Sequence, residues 1–251
     1  MKRSINSLIG FTMGATDGEI GEVKEFYFDD ATWTIRYLIV ETGSWLSGRK
    51  VLISPTSLLE PNWDKGIFRI NLSKEQIKNS PDIDTERSIS RQQELALYAH
   101  YPWGAYWANG FYAGGMLMPE SMYNMVPQNE GHVINKETND DQHLRSTDKV
   151  TGYNIKAADG KIGTVEDFLV DDSNWKIDFM VVDTGNWLPG KKVLISPKWI
   201  KEIKWATSTV VVNASTEHIK NSPEYIIKQP INEAYEAKLY SHYDGLVSHT
   251  Q

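Results

Sequence analysis

The sequence predicts an all-β protein with short helices, built as two tandem small β-barrels related by pseudo-twofold symmetry. Three observations predict it. First, the 251-residue chain is written twice: Ser4–Tyr101 aligns with Ser146–Tyr243 without a gap, 41 of 98 positions being identical. A long-period duplication of this kind means two copies of one folded unit. Second, each copy carries short runs rich in β-branched and aromatic residues, separated by polar turns. Third, a sheet that small leaves bare edges unless it curls on itself. Residues 1–101 are the first copy, 102–147 a connection, and 148–251 the second copy.

Within a copy the elements follow in order. Asp17-Gly18 and Asp159-Gly160 supply a tight turn before a strand. Glu22–Phe28 and Trp33–Glu41 are apolar-rich runs joined by Asp29-Asp30-Ala31-Thr32, a β-hairpin; Thr164–Val170 and Trp175–Asp183 repeat it. Lys50–Ile53 is a short strand. Leu58–Trp63 and Ile67–Asn71 form a second hairpin around Asp64-Lys65-Gly66, where the second copy has Ala206-Thr207-Ser208 and no glycine, so a different turn geometry is expected. Ser73 with Gln76 and Ser90 with Gln93 are capping boxes that begin two helices, the first stopped by Pro81; Asn232 caps the corresponding helix of the second copy.

These residues carry a resemblance. Gly10, Gly18, Gly21 and Val23, then Asp29-Asp30-x-x-Trp33, then Val40-x-Thr42-Gly43-x-Trp45-Leu46-x-Gly48-x-Lys50-Val51-Leu52-Ile53-Ser54-Pro55, and their counterparts in the second copy, resemble the PRC-barrel family. The resemblance spans roughly 8–101 and 150–243. That barrel is known from the cytoplasmic part of the H subunit of photosynthetic reaction centres and from a ribosome maturation factor. It implies the fold; function does not follow from fold alone.

Composition excludes several classes. Net charge is −7 and no region is basic, so direct nucleic-acid binding is not expected. The absence of cysteine excludes disulfides and thiol chemistry. Residues 1–10 hold two basic residues without a following apolar run and do not read as a signal peptide. Leu95–Pro119 contains no charged residue, but its four glycines, Pro102 and few aliphatics argue against a transmembrane segment.

The aromatic, glycine-rich stretch 102–125, with Trp103, Tyr106, Trp107, Phe111 and Tyr112, reads either as a connection packed over the sheets or as a contact surface for a partner or a second copy. Peripheral membrane contact is a minor reading of the same tryptophans and tyrosines. Residues 128–147 read as a polar connector. Trp45 and Trp187, in the Trp-Leu-x-Gly loops, are either interaction residues or loop tips folded back on their own barrel or on the other barrel; the last is preferred.

No residue pattern demands catalysis. Asp29-Asp30 and Asp171-Asp172 would suit a cation, but adjacent carboxylates in a hairpin more often form the turn. Asp140, Asp141 and His143 invite the same reading. His100 and His242 lack a paired nucleophile or carboxylate motif and read as helix-end residues. Lys50 and Lys192 are weak anion candidates. The expectation is therefore a cytoplasmic, non-enzymatic interaction or scaffold protein without cofactor, acting through a protein partner or self-association. An accessory of membrane or photosynthetic electron-transport complexes is the alternative. A site for chemistry would sit where the copies differ, as at Arg36 against Asp178 or Gly66 against Ser208.

Overall fold

The computed structural model describes residues 1–83, 89–104, 106, 143–185, 190–227 and 229–244. The first copy contains β1 (Lys2–Ser4), β2 (Thr12–Ala15), β3 (Gly18–Asp29), β4 (Thr34–Thr42), β5 (Lys50–Ile53) and β6 (Ile67–Arg69), then α1 (Lys74–Lys78) and α2 (Arg91–His100). The second contains β7 (Leu144–Ser146), α3 (Thr147–Val150), β8 (Asn154–Lys156), β9 (Lys161–Asp171), β10 (Ile177–Asp183), β11 (Lys192–Ile195), β12 (Ile200–Lys204) and β13 (Thr209–Val212). It closes with α4 (Thr216–Lys220) and α5 (Glu233–Tyr243). The protein is thus mostly β with a few short helices, in two sheets.

One sheet runs β11-β10-β9-β8-β13-β12, the other β5-β4-β3-β2-β6. Each receives one more strand from the other copy: β1 pairs with β9, and β7 pairs with β3. The leading strands are exchanged. Chain contacts accordingly divide the molecule into two compact units that do not follow the sequence halves. One comprises residues 1–10, 24–38 and 145–251, the other 11–23 and 39–144. Residues 144–147, assigned by sequence to a polar connector, are instead β7 and the start of α3, with Leu144, Ser146 and Thr147 buried.

In the first unit, Phe26–Asp29 at the end of β3 and Phe168–Val170 at the end of β9 are buried at consecutive positions. A half-exposed strand would alternate, so both faces of these strand ends are covered. In the second unit the crowding falls on Gly21. A Cβ there would lie 1.9 Å from the Glu41 carbonyl oxygen, and at Gly163, in the first unit, 2.0 Å from that of Asp183. Glycine is required because the neighbouring strand's backbone occupies the side-chain position.

The motif polar residues hold turns and helix ends. Asp17 accepts from the Lys74 amide at 2.9 Å and Asp159 from the Thr216 amide at 2.7 Å, so each Asp-Gly turn also caps a helix. Thr42 donates to the Arg49 carbonyl at 2.7 Å and Thr184 to that of Lys191 at 2.6 Å, pinning the loop before β5 and before β11. Arg49 then donates to the carbonyls of Lys78, Ser80 and Pro81, and Lys191 to those of Lys220 and Ser222. A cation thus satisfies carbonyls at and just beyond each helix C-terminus. Both arms of the capping boxes at Ser73 and Ser90 form, and Asn232 caps α5. The Gly66 turn does not change in the second copy as expected. Ser208 takes the same left-handed conformation, φ 47° against 63°, so the turn survives at a small backbone cost.

Candidate functional site

The exchanged strands define the most specific polar site in the first unit. β1 lies antiparallel on β9, with Lys2 opposite Asp171, Arg3 opposite Val170 and Ser4 opposite Leu169. The Ile5 amide continues the ladder to the Phe168 carbonyl at 2.9 Å. Side chains lock the register. Arg3 Nε donates to Asp172 Oδ2 at 2.7 Å, Ser4 Oγ to Asp167 Oδ2 at 2.5 Å, and Lys2 Nζ to Asp171 Oδ2 at 2.9 Å and to Asp178. Offset by one repeat, Arg145 Nε donates to Asp30 Oδ2 at 2.8 Å and Ser146 Oγ to Glu25. Arg145 also lies 3.9 Å above the Trp205 ring.

Charge and burial set the titration of this cluster. Burial alone would lower the Lys2 ammonium, but its hydrogen bonds to Asp178 and Asp171 outweigh burial and raise it above the ordinary lysine range. Burial would raise the Asp171 carboxyl; hydrogen bonds from Ser173 and Lys2 hold it well below the ordinary range instead. Asp167 is raised, chiefly by burial, against the lowering effect of Ser4.

Beside this cluster the two Asp-Asp-x-x-Trp turns meet. Trp33 and Trp175 both adopt left-handed backbone, φ 57° and 59°, uncommon for a bulky residue. Each amide reaches back to the first aspartate's carbonyl, Trp33 to Asp29 and Trp175 to Asp171, both at 2.8 Å. Each carbonyl then accepts from the other copy: Ile177 N–H to Trp33 at 2.7 Å, and Ile35 N–H to Trp175 at 2.8 Å. A contact in which residue i meets j and j meets i is the signature of a two-fold relation. This reciprocal pair offsets a backbone strain of roughly 1–2 kcal/mol per tryptophan. The Asp29 and Asp171 side chains bind Thr32 and Ser173 in their own turns. Among the described residues no group of three or more His, Asp or Glu is placed to hold a metal. A cleft of about 250 Å³ opens alongside, lined by Thr32, Trp33, Lys176, Asp178, Ser196 and Lys198.

The aromatic candidates divide. Trp45 is folded back on its own copy rather than on the other, its indole N–H donating to the Ile20 carbonyl at 2.6 Å. Trp103 is 7% exposed, stacks on Tyr101 at 4.2 Å and donates to Ser57 Oγ at 2.6 Å. The second copy fills the same niche from elsewhere: Trp199, which aligns with Ser57, stacks on Tyr243 at 4.0 Å. Trp103 therefore supplies the indole that the first copy lacks at position 57. Trp107, Phe111, Tyr112 and Trp187, with Asp140 and Asp141, lie outside the described residues.

Tyr106 belongs to a polar cluster in the second unit that the sequence did not reveal. Its hydroxyl donates to Glu94 Oε1 at 2.8 Å, and Arg91 and His143 reach Glu94 Oε2 at 2.9 and 2.8 Å. Glu94 is fully buried. Burial first, then the Glu94 charge, push the Tyr106 phenol well above its ordinary value, so it remains a donor. The helix-end histidines bond backbone. His100 Nε2 lies 2.7 Å from the Gln76 carbonyl, and His218 and His242 each lie 2.8 Å from the other's carbonyl, rings 4.3 Å apart. Lys192 pairs with Glu166.

The fold and the repeated motif define a class. The family model of the PRC-barrel domain matches residues 2–77 and 149–219, more than half of the chain. The protein belongs to the PRC-barrel domain family, in two copies. It is also similar to an uncharacterized protein of Deinococcus radiodurans, 28% identical over 79 residues, which is 32% of this chain. The match spans 28% of that relative's length. Among the described residues no helix is long and apolar enough to cross a membrane.

Proposed function

We propose that this chain is a non-enzymatic protein-interaction or scaffold module whose two PRC-barrel domains present surface rather than reaction chemistry. One observation carries the reading: the long strands β3 and β9 each accept a strand from elsewhere in the chain, using backbone pairing and acidic side chains together. Strand addition is a general mode of protein recognition. The polar residues shared by the copies support it, since they are engaged in turns, caps and the exchanged strands. The acidic net charge favours a protein partner or a second copy over nucleic acid. The test combines light scattering of the purified chain with affinity purification at native expression level. A dimer or a stoichiometric protein partner is expected. A monomer at tens of micromolar that retains no partner, or turnover of a substrate by the pure protein, would overturn the reading.

A further inference from the structure

The two donor strands share Arg-Ser, in Lys2-Arg3-Ser4 and Leu144-Arg145-Ser146. The two acceptors offer the same chemistry to those residues: Asp172 or Asp30 for the arginine, Asp167 or Glu25 for the serine. Arg-Ser therefore cannot tell one acceptor from the other. The discriminating position is the first. Lys2 lies within hydrogen-bond reach of Asp171 and Asp178 and 3.9 Å from Glu236. The aligned residues of the first copy are Asp29, Arg36 and Glu94. Arg36 would repel an incoming lysine, and Glu94 is engaged by Arg91, Tyr106 and His143. The β9 edge is thus charged to receive a strand that begins with lysine.

We propose that the β9 edge with Asp178 is a strand-acceptor site selective for a Lys-Arg-Ser strand, and that a second copy of this chain can supply it in place of β1. This deepens the interaction-module reading by naming one surface and one occupant. The second copy is the fitting occupant because its β1 is the same strand and carries the same key. The contact is also confined to one short segment, residues 1–10, the part of the unit that precedes residue 11. Lys2–Ser4 pair in register, single backbone bonds at Met1 and Ile5 extend the ladder, and Ile5 and Leu8, at 2% and 1% exposure, follow as apolar anchors. Either copy's β1 restores the ladder that β9 needs along Leu169–Asp171, where β8 no longer covers it.

Two charge variants of the whole chain test the site. Lys2→Glu places a carboxylate against Asp178, and Asp178→Arg places a guanidinium against Lys2, so each chain mismatches its own β1. Mixed, they are complementary. The carboxylate introduced in one chain meets the guanidinium introduced in the other, and the Lys2 retained by the second meets the Asp178 retained by the first. After equilibration light scattering should show the mixture dimeric, with each variant alone populating dimer at least about tenfold less, as an ion-pair difference of that size implies. A mixture no more dimeric than its components overturns the proposal. If either variant's circular dichroism departs from wild type, Lys2→Ala chains provide the second measurement. They should bind a labelled peptide of residues 1–10 about tenfold more tightly than the same peptide carrying Lys2→Glu; equal binding, or none, overturns the proposal. Either failure leaves other faces of the scaffold reading untouched, because that reading is tested by wild-type self-association and partner capture.

Discussion

At the residue scale, some repeated positions are ones where no other side chain fits the geometry. Gly21 is the sharpest. Gly21→Ala would drive a methyl into the Glu41 carbonyl oxygen, and neither backbone can move without breaking the sheet. Urea unfolding should show a loss of more than about 3 kcal/mol, beyond the usual cost of a point substitution. Gly10→Ala, which meets open space but shares a positive φ, should cost about 1 kcal/mol. The ion cluster around β1 predicts a pH window. Asp171 is depressed, so its contribution is complete above the unfolded carboxylate value and is lost as pH falls through the lower folded value. Lys2 is raised, so its contribution is complete below the unfolded lysine value and is lost as pH rises through the higher folded value. Hydrogen exchange at the Ile5 amide should therefore show strongest protection between about pH 4 and pH 10, once intrinsic rates are removed. Equal protection at pH 3 and pH 7 would contradict it.

At the element scale, the turns and caps were legible because they are local. Asp17-Gly18, the capping boxes at Ser73 and Ser90, and strand Lys50–Ile53 fall where the sequence places them. What escaped was which strand pairs with which. A period reveals two copies, yet it is silent on whether a strand joins its own copy or its twin. The clue lay just outside the alignment, in Arg3 and Arg145 before Ser4 and Ser146. Ser57 and Trp103 show a second kind of illegibility. Their aligned partners, Trp199 and Gly245, suggest an unrelated loss and gain; only the niche against Tyr101 joins them. Trp103→Ala should cost about 3–5 kcal/mol by vacating that niche. Adding Ser57→Trp should recover more than half of the loss, read as the denaturation midpoint of the double variant. No recovery would show the two indoles to be unequal tenants. The cluster at Glu94 escaped for a similar reason: His143 lies far from it in the sequence and reaches it only through the fold.

At the scale of the whole molecule, the duplication reads as two domains while the contacts divide the chain otherwise. Residues 24–38 of the first copy belong to the unit that holds most of the second. The reciprocal Trp33 and Trp175 carbonyl bonds and the exchanged strands are the cause, since each copy's hairpin is completed by atoms of the other. The copies are therefore expected to unfold together. A single cooperative transition, followed by fluorescence of the nine tryptophans and by far-ultraviolet dichroism, should describe chemical denaturation. Two separated transitions would mean that the exchanged strands contribute little. The cleft beside the two Asp-Asp-x-x-Trp turns is lined by Lys176, Asp178 and Lys198, where the first copy has Thr34, Arg36 and Thr56.

The exchange of leading strands also has a consequence for birth of the molecule on the ribosome. Lys2 of β1 is synthesised 169 positions before its partner Asp171, and β3 must wait for β7. Long separations slow the closing of a topology and leave nascent edges bare meanwhile. Residues 24–38 of the first copy cannot reach their final partners until the second hairpin has left the exit tunnel.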